Sequence, residues 1–194
     1  MSPLNEEKLE QIHIQRVKEI KEAALKVFAR KGISGTKMSM IAEEAGISQG
    51  LSYRYFKSKE ELFIVLIQEA MEEADAAMKQ IGQLPGTPME QIRTLTQIIL
   101  DESNKDAFLL IQQGKTANDV PEKARQIIEQ YSAKDPIQGL VPIFVKGQQF
   151  GEFCAGDPYR LLLCYFSVIT GLMLQEHQGD WTIDVDLLMK ILKK

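Results

Sequence analysis

Apolar residues recur along this chain at steps of three and four, and no run of β-branched alternation lasts long enough for a strand, so the expected fold class is all-α. Val17, Ile20, Ala24, Val27 and Phe28 make the first stripe, and Gly32, after Arg30 and Lys31, supplies the stop with cations set against the helix dipole. Met38, Ile41, Ala42 and Ala45 repeat the pattern over a short helix closed by Gly46. Ser48 suits the N-cap of a third helix to about Tyr55, and Ser58-Lys59-Glu60-Glu61 matches a capping box opening a long fourth helix with Leu62, Phe63, Leu66, Ala70, Ala74, Ala77 and Ile81 inward. Thr87-Pro88, Pro121, Asp135-Pro136 and Asp157-Pro158 read as later helix starts, with a kink at Pro142. About nine helices are expected, the penultimate running to about Gln178 and the last carrying Val185, Leu188, Met189 and Leu192.

Charge is unevenly spread. Residues 11–59 hold ten Lys and Arg against four Glu, which leaves −10 for the rest of a chain whose net charge is −4. The front end is expected to seek a polyanion. Leu161 to Leu174, the most apolar stretch, falls short of the roughly 20 residues that cross a bilayer, so it reads as a core or interface helix. Cys154 and Cys164 form neither a disulfide framework nor a zinc-like spacing, and the first residues lack a secretory pattern; a reducing, cytoplasmic setting is expected.

Residues 38–55 read helix, tight turn, helix, with Ala42 small where two helices cross and Gly46 free for the positive φ of a sharp turn. A second helix of this kind fits the major groove of B-DNA, and it would present Gln49, Tyr53 and Arg54 outward. The Thr36 and Ser48 hydroxyls and the Lys37, Lys57 and Lys59 ammonium groups suit phosphates, and Gly50 would let the backbones come close.

The segment ARKGISGTKMSMIAEEAGISQGLSYRYFKSKEELF resembles the N-terminal domain of the TetR family of bacterial transcription regulators, over about residues 17–66. The pattern runs Gly32, Thr36, Ile41-Ala42, Ala45-Gly46-Ile47-Ser48, Gly50, Tyr53, Tyr55-Phe56, Ser58-Lys59 and Leu62, in order and without a gap. The resemblance implies a homodimer on palindromic operator DNA and a C-terminal domain that releases it on binding a small molecule. It also implies that Gln49 reads bases while Thr36, Ser48, Tyr53, Tyr55 and Lys59 hold the backbone, with Lys37 and Arg54 at variable contact positions. Ser52 departs from the pattern, standing where a larger apolar residue usually packs inward.

The expected division is a DNA-binding domain over 1–58 and a helical effector-binding and dimerisation domain over 59–194. Phe108, Ile111, Gln112, Phe144, Gln148, Phe150, Tyr165 and Met173 fit either an apolar effector pocket or plain core, and both readings stay open. The helix from Pro158 is apolar nearly all round, so a partner should cover it, with Ser167 and Gly171 admitting a close helix and Leu188 and Leu192 joining the interface. No nucleophile with a base, paired carboxylates or phosphate-cradling glycine loop survives the helical reading, so no catalysis and no cofactor are expected. His13 and His177 lie far apart without acidic companions, so no metal is expected either. The function expected is a repressor relieved by a small, mostly apolar effector; action through a protein partner without a ligand, or activation, are the alternatives.

Overall fold

The structure is a computed structural model that describes residues 3–175 and 184–194. His177, and the expected extension of the Pro158 helix to Gln178, lie outside the described residues. Those residues form ten α-helices: α1 Pro3–Gly35, α2 Met38–Glu44, α3 Gln49–Tyr55, α4 Lys59–Gln80, α5 Pro88–Leu100, α6 Lys105–Thr116, α7 Glu122–Ser132, α8 Pro136–Gln149, α9 Pro158–Met173 and α10 Val185–Met189. The fold is all-α. None of the described helices is long and apolar enough to cross a membrane.

Local chemistry sets most boundaries. Gly32 breaks α1 with φ 67 and ψ 173, a conformation that an L side chain resists. Thr87 accepts from the Glu90 amide while the Glu90 carboxylate accepts from the Thr87 amide, a reciprocal cap in front of Pro88. Asp135 and Asp157 cap helices that start on Pro136 and Pro158, and α8 stays helical through Pro142.

Packing divides the chain into two compact units, residues 1–70 with 110–128 and residues 71–109 with 129–194. In the first, the α1 stripe, Ile41 and Ala42 of α2, and Leu62, Phe63, Leu66 and Ile67 of α4 are buried, with Phe28 and Phe63 edge to face at 5.2 Å between centroids. The inner face of α4 therefore differs from the expected stripe: Ala74 is exposed, and the larger Ile67 and Met71 are buried because they have more apolar area to remove from water. Residues 110–128 complete this core, with Gly114 so close to Ile128 and Ile67 that an added Cβ would stand 2.5 Å and 3.1 Å from their Cδ1 atoms.

The second unit gathers around Phe144, Phe153 and Tyr165, all buried, with the Phe144 and Phe153 rings stacked at 4.4 Å. Phe153 lies in the connection between α8 and α9, which forms an isolated bridge to Lys193; the Cys154 amide donates to Leu192 O at 2.8 Å. The residues after α10 are held in place by this bridge.

Candidate nucleic-acid interface

The turn between α2 and α3 is closed by two backbone bonds. The Ile47 amide donates to Ala42 O at 2.9 Å and the Gly46 amide to Glu43 O at 3.0 Å, while Gly46 takes φ 64, so the helix end satisfies its own carbonyls as the chain reverses. The Ser48 hydroxyl then accepts from the Leu51 amide at 3.3 Å and starts α3. Ser52 is the buried residue on the inner face of α3, and its hydroxyl donates to Gln49 O at 2.8 Å, so the departure noted in sequence is met by a hydrogen bond in place of apolar bulk. With Ser52 inward, Gln49, Gly50, Tyr53 and Arg54 are exposed; Tyr53 keeps 48% of its surface in solvent, and a Cβ at Gly50 would meet nothing within 4 Å.

The outer face of α3 borders a surface cleft of about 420 Å³, whose other walls are Thr36 to Ser39 at the start of α2 and Lys57 to Glu60 at the start of α4. Lys37 caps α2 with no side-chain acceptor, so the first-turn amides of α2 and the exposed Lys37 and Lys57 side chains bring positive potential to one opening, with Glu60 the acidic group on its rim.

Two expected contact residues border the cleft while their side chains bond to backbone carbonyls. Thr36 is 1% exposed and its hydroxyl donates to Gly32 O at 2.6 Å, so it braces the turn after α1. The Lys59 ammonium donates to Ile33 O at 2.7 Å and to Thr36 O at 2.9 Å, so it is engaged with carbonyls freed by the end of α1. Tyr55 is half-buried, with its ring 5.0 Å from that of His13 on α1. The signal that would have found the Lys59 role is the surplus of carbonyls after a glycine-terminated helix, but which cation reaches them depends on α4 folding back.

The eight effector-pocket candidates do not share one core. Ile111 and Gln112 belong to the first unit and the other six to the second. Phe144, Tyr165 and Met173 are buried together in that second core, and Phe108 packs against it. The Tyr165 hydroxyl lies 2.8 Å from Thr96 Oγ1 and 3.2 Å from Met189 Sδ; burial pushes its phenol above the ordinary value, an effect the Thr96 hydrogen bond opposes. Gln148 spends its amide on Cys154 O and Gly156 O, at 2.9 and 3.0 Å. Phe150 follows the end of α8 and is 63% exposed, so it belongs to the surface and not to the core.

Ser167 and Gly171 do stand on an exposed face of α9, and a Cβ at Gly171 would meet nothing. Of the two leucines expected in the interface, Leu192, beyond the end of α10, is wholly buried in its own unit, and Leu188 is mostly buried there while lining the groove between α9 and α10. Leu187 and Ile191 take the exposed positions, and with Val168 and Leu172 they line an apolar groove of about 480 Å³ between α9 and α10.

A short helix pair closed on Gly46, an outward polar face on its second helix and a lysine-walled cleft beside it define a helix-turn-helix DNA-binding domain. Residues 20–66 match the family model described as "Bacterial regulatory proteins, tetR family". The chain thus carries the N-terminal DNA-binding domain of the TetR family. It is 29% identical over 155 residues to the uncharacterized HTH-type transcriptional regulator YuxN of Bacillus subtilis (strain 168), covering 78% of this chain and 50% of that one. It is 26% identical over 147 residues to the fatty acid metabolism regulator protein of the same strain, covering 74% of this chain and 73% of that one. The chain therefore spans half the length of the first relative and about three quarters of the second. Among solved structures, AibR in complex with isovaleryl coenzyme A and operator DNA aligns with a TM-score of 0.67 and 18% identity over 90% of this chain and 94% of that one, a likeness of fold.

Removing the Lys59 ammonium should act on folding first. Lys59→Ala is expected to lower unfolding free energy by roughly 1–3 kcal/mol, because two carbonyls lose a charged donor, while Lys37→Ala stays within about 0.5 kcal/mol of wild type. Urea denaturation of the two variants separates them; equal midpoints would mean that the Lys59 bonds carry no stability.

Proposed function

We propose that the protein is a homodimeric transcriptional repressor that reads a palindromic operator through α3 and releases it when a small, mostly apolar effector enters the helical domain. The single observation that carries this reading is the outer face of α3, where Gln49, Tyr53 and Arg54 stand exposed beside the cleft walled by Lys37 and Lys57. In this reading Gln49 reads base edges, Ser48, Gly50, Tyr53, Arg54, Lys37 and Tyr55 hold the sugar-phosphate backbone, and Thr36 and Lys59 shape the turn beneath them. Function divides the chain into a DNA-binding domain over 1–58 and an effector-binding and dimerisation domain over 59–194, with α4 as the lever between the two tasks. The work is done in the cytoplasm, on double-stranded DNA.

The apolar groove between α9 and α10 supports a second copy of the chain as its cover, since Val168, Leu172, Leu187 and Ile191, which line it, are costly to leave in water together. An apolar effector is supported by the aromatic core of the second unit and by relatives whose names concern fatty acid metabolism or whose structure holds an acyl thioester. A few kcal/mol of differential binding between a DNA-competent and a released dimer changes occupancy by orders of magnitude. The complete burial of Phe144 and Tyr165, with Phe144 stacked on Phe153, gives weight to a second reading, a regulator that acts through a protein partner without a ligand.

Selection from a random duplex library at physiological salt is expected to enrich a palindrome. Gln49→Ala should then relax discrimination at particular base pairs, and a uniform loss across all operator variants would contradict base reading. Titrating the bound duplex with free fatty acids of graded chain length and their coenzyme A thioesters should identify a member that weakens DNA binding at least tenfold, about 1.4 kcal/mol of coupling. A panel that moves neither DNA affinity nor thermal midpoint would favour the ligand-free reading. Gly171→Leu should leave the protomer folded, since the side chain enters open space, and shift the dimer toward monomer. An unchanged sedimentation profile at low micromolar concentration would remove α9 from the interface.

A further inference from the structure

The corner between α1 and α2 is braced by residues 84 and 85 positions further along the chain. Gln113 on α6 donates from Nε2 to Ala29 O at 2.9 Å, and its Oε1 is buried with no hydrogen-bond partner, facing Gly32. A buried amide oxygen left unpaired costs free energy, so something holds Gln113 there against that cost. Two residues past Gly32, the Ser34 hydroxyl donates to the Asp119 carboxylate in the turn after α6. That turn is itself tied down, because Arg125 donates from Nη2 to Asn118 O at 2.8 Å and to Val120 O at 3.4 Å on either side of Asp119. Ser34 and Asp119 are exposed, so their contact buries little and does little for the core.

We propose that Gln113 and the Ser34–Asp119 pair are positioning residues for DNA binding: they set the turn that carries Lys37 and the start of α2 into the lysine-walled cleft. The inference rests on the DNA-binding reading above. Its physical basis is that Gly32, at φ 67, has no preferred helical continuation, so the path from Gly32 to Met38 is decided by outside partners. Thr36 adds a bond from within the turn, and the outside partners are Lys59 from α4 and Gln113 and Asp119 from α6 and the turn that follows it. None of the three lines the cleft or borders the outer face of α3.

Ser34→Ala and Gln113→Leu test this without changing net charge. Each full-length variant is titrated against the duplex that the wild-type protein enriches from a random library, at several salt concentrations. Each should weaken binding roughly three- to tenfold, the loss expected for one hydrogen bond, across matched and mismatched duplexes alike. The slope of log affinity against log salt should stay within about 0.3 of wild type, where a lost phosphate contact would shift it by about 0.9. Hydrogen exchange of the free protein gives a second readout: amides 33–41 should exchange at least threefold faster in both variants while amides 49–55 are unchanged. Affinity within twofold of wild type, a slope changed by about one, or unchanged exchange at 33–41 would overturn the proposal. If the wild-type protein enriches no duplex, the DNA-binding reading fails, and the exchange measurement still decides whether these residues hold the corner. Exposed Ser34 keeps the test open should Gln113→Leu fail to fold.

Discussion

The structure of the DNA-binding unit hangs on the carbonyl groups that α1 leaves without partners when it breaks at Gly32. A helix end frees up to four such groups, and each one buried and unpaired costs about 1–3 kcal/mol against a total stability of about 5–15 kcal/mol. Here Ala29 O, Gly32 O and Ile33 O of α1, and Thr36 O just beyond it, are met by Gln113, Thr36 and Lys59, from α6, the turn itself and α4. Those same bonds determine where the next residue, Lys37, stands. Backbone satisfaction and the geometry of the candidate interface are thus one problem with one solution.

That solution separates two kinds of cation. Lys59 is half-buried and directed at carbonyl oxygens, while Lys37 and Lys57 stay exposed at the cleft. Arg30 is paired with Glu44 across α1 and α2 at 2.7 Å, and Lys21 with Glu69 across α1 and α4 at 2.6 Å, so part of the positive surplus of the front end is used inside the unit. Such partly exposed pairs add modest stability each, and their larger effect is to hold helix against helix. The surplus seen in the sequence is therefore an upper limit on what faces a polyanion.

Helix ends and turns were legible because their hydrogen bonds close within a few residues: Gly32, Gly46, Ser48, Ser58, Thr87, Asp135 and Asp157 act where the sequence places them. The outward face of α3 was legible for the same reason, since a seven-residue helix with Ser52 inward leaves Gln49, Tyr53 and Arg54 no other direction. The backbone partners of Thr36 and Lys59 were not legible, because those of Lys59 lie far off in sequence; its bonds span 23 and 26 residues. Periodicity placed Leu188, Met189 and Leu192 on one apolar face, and all three are buried; what it did not show is that this face packs within its own unit while Leu187 and Ile191 stay exposed.

By itself the sequence determined an all-α chain, the helix-turn-helix and the polarity of its reading helix, because helix propensity, capping and glycine turns are local and act through neighbouring residues. Only the tertiary structure decided which cation serves the backbone and which faces the cleft, that residues 110–128 complete the DNA-binding unit, and which leucines of the last helix are buried. These depend on contacts between segments far apart in the chain. Such contacts are selected by close packing and by the need to pair every buried polar group, and no local pattern encodes either.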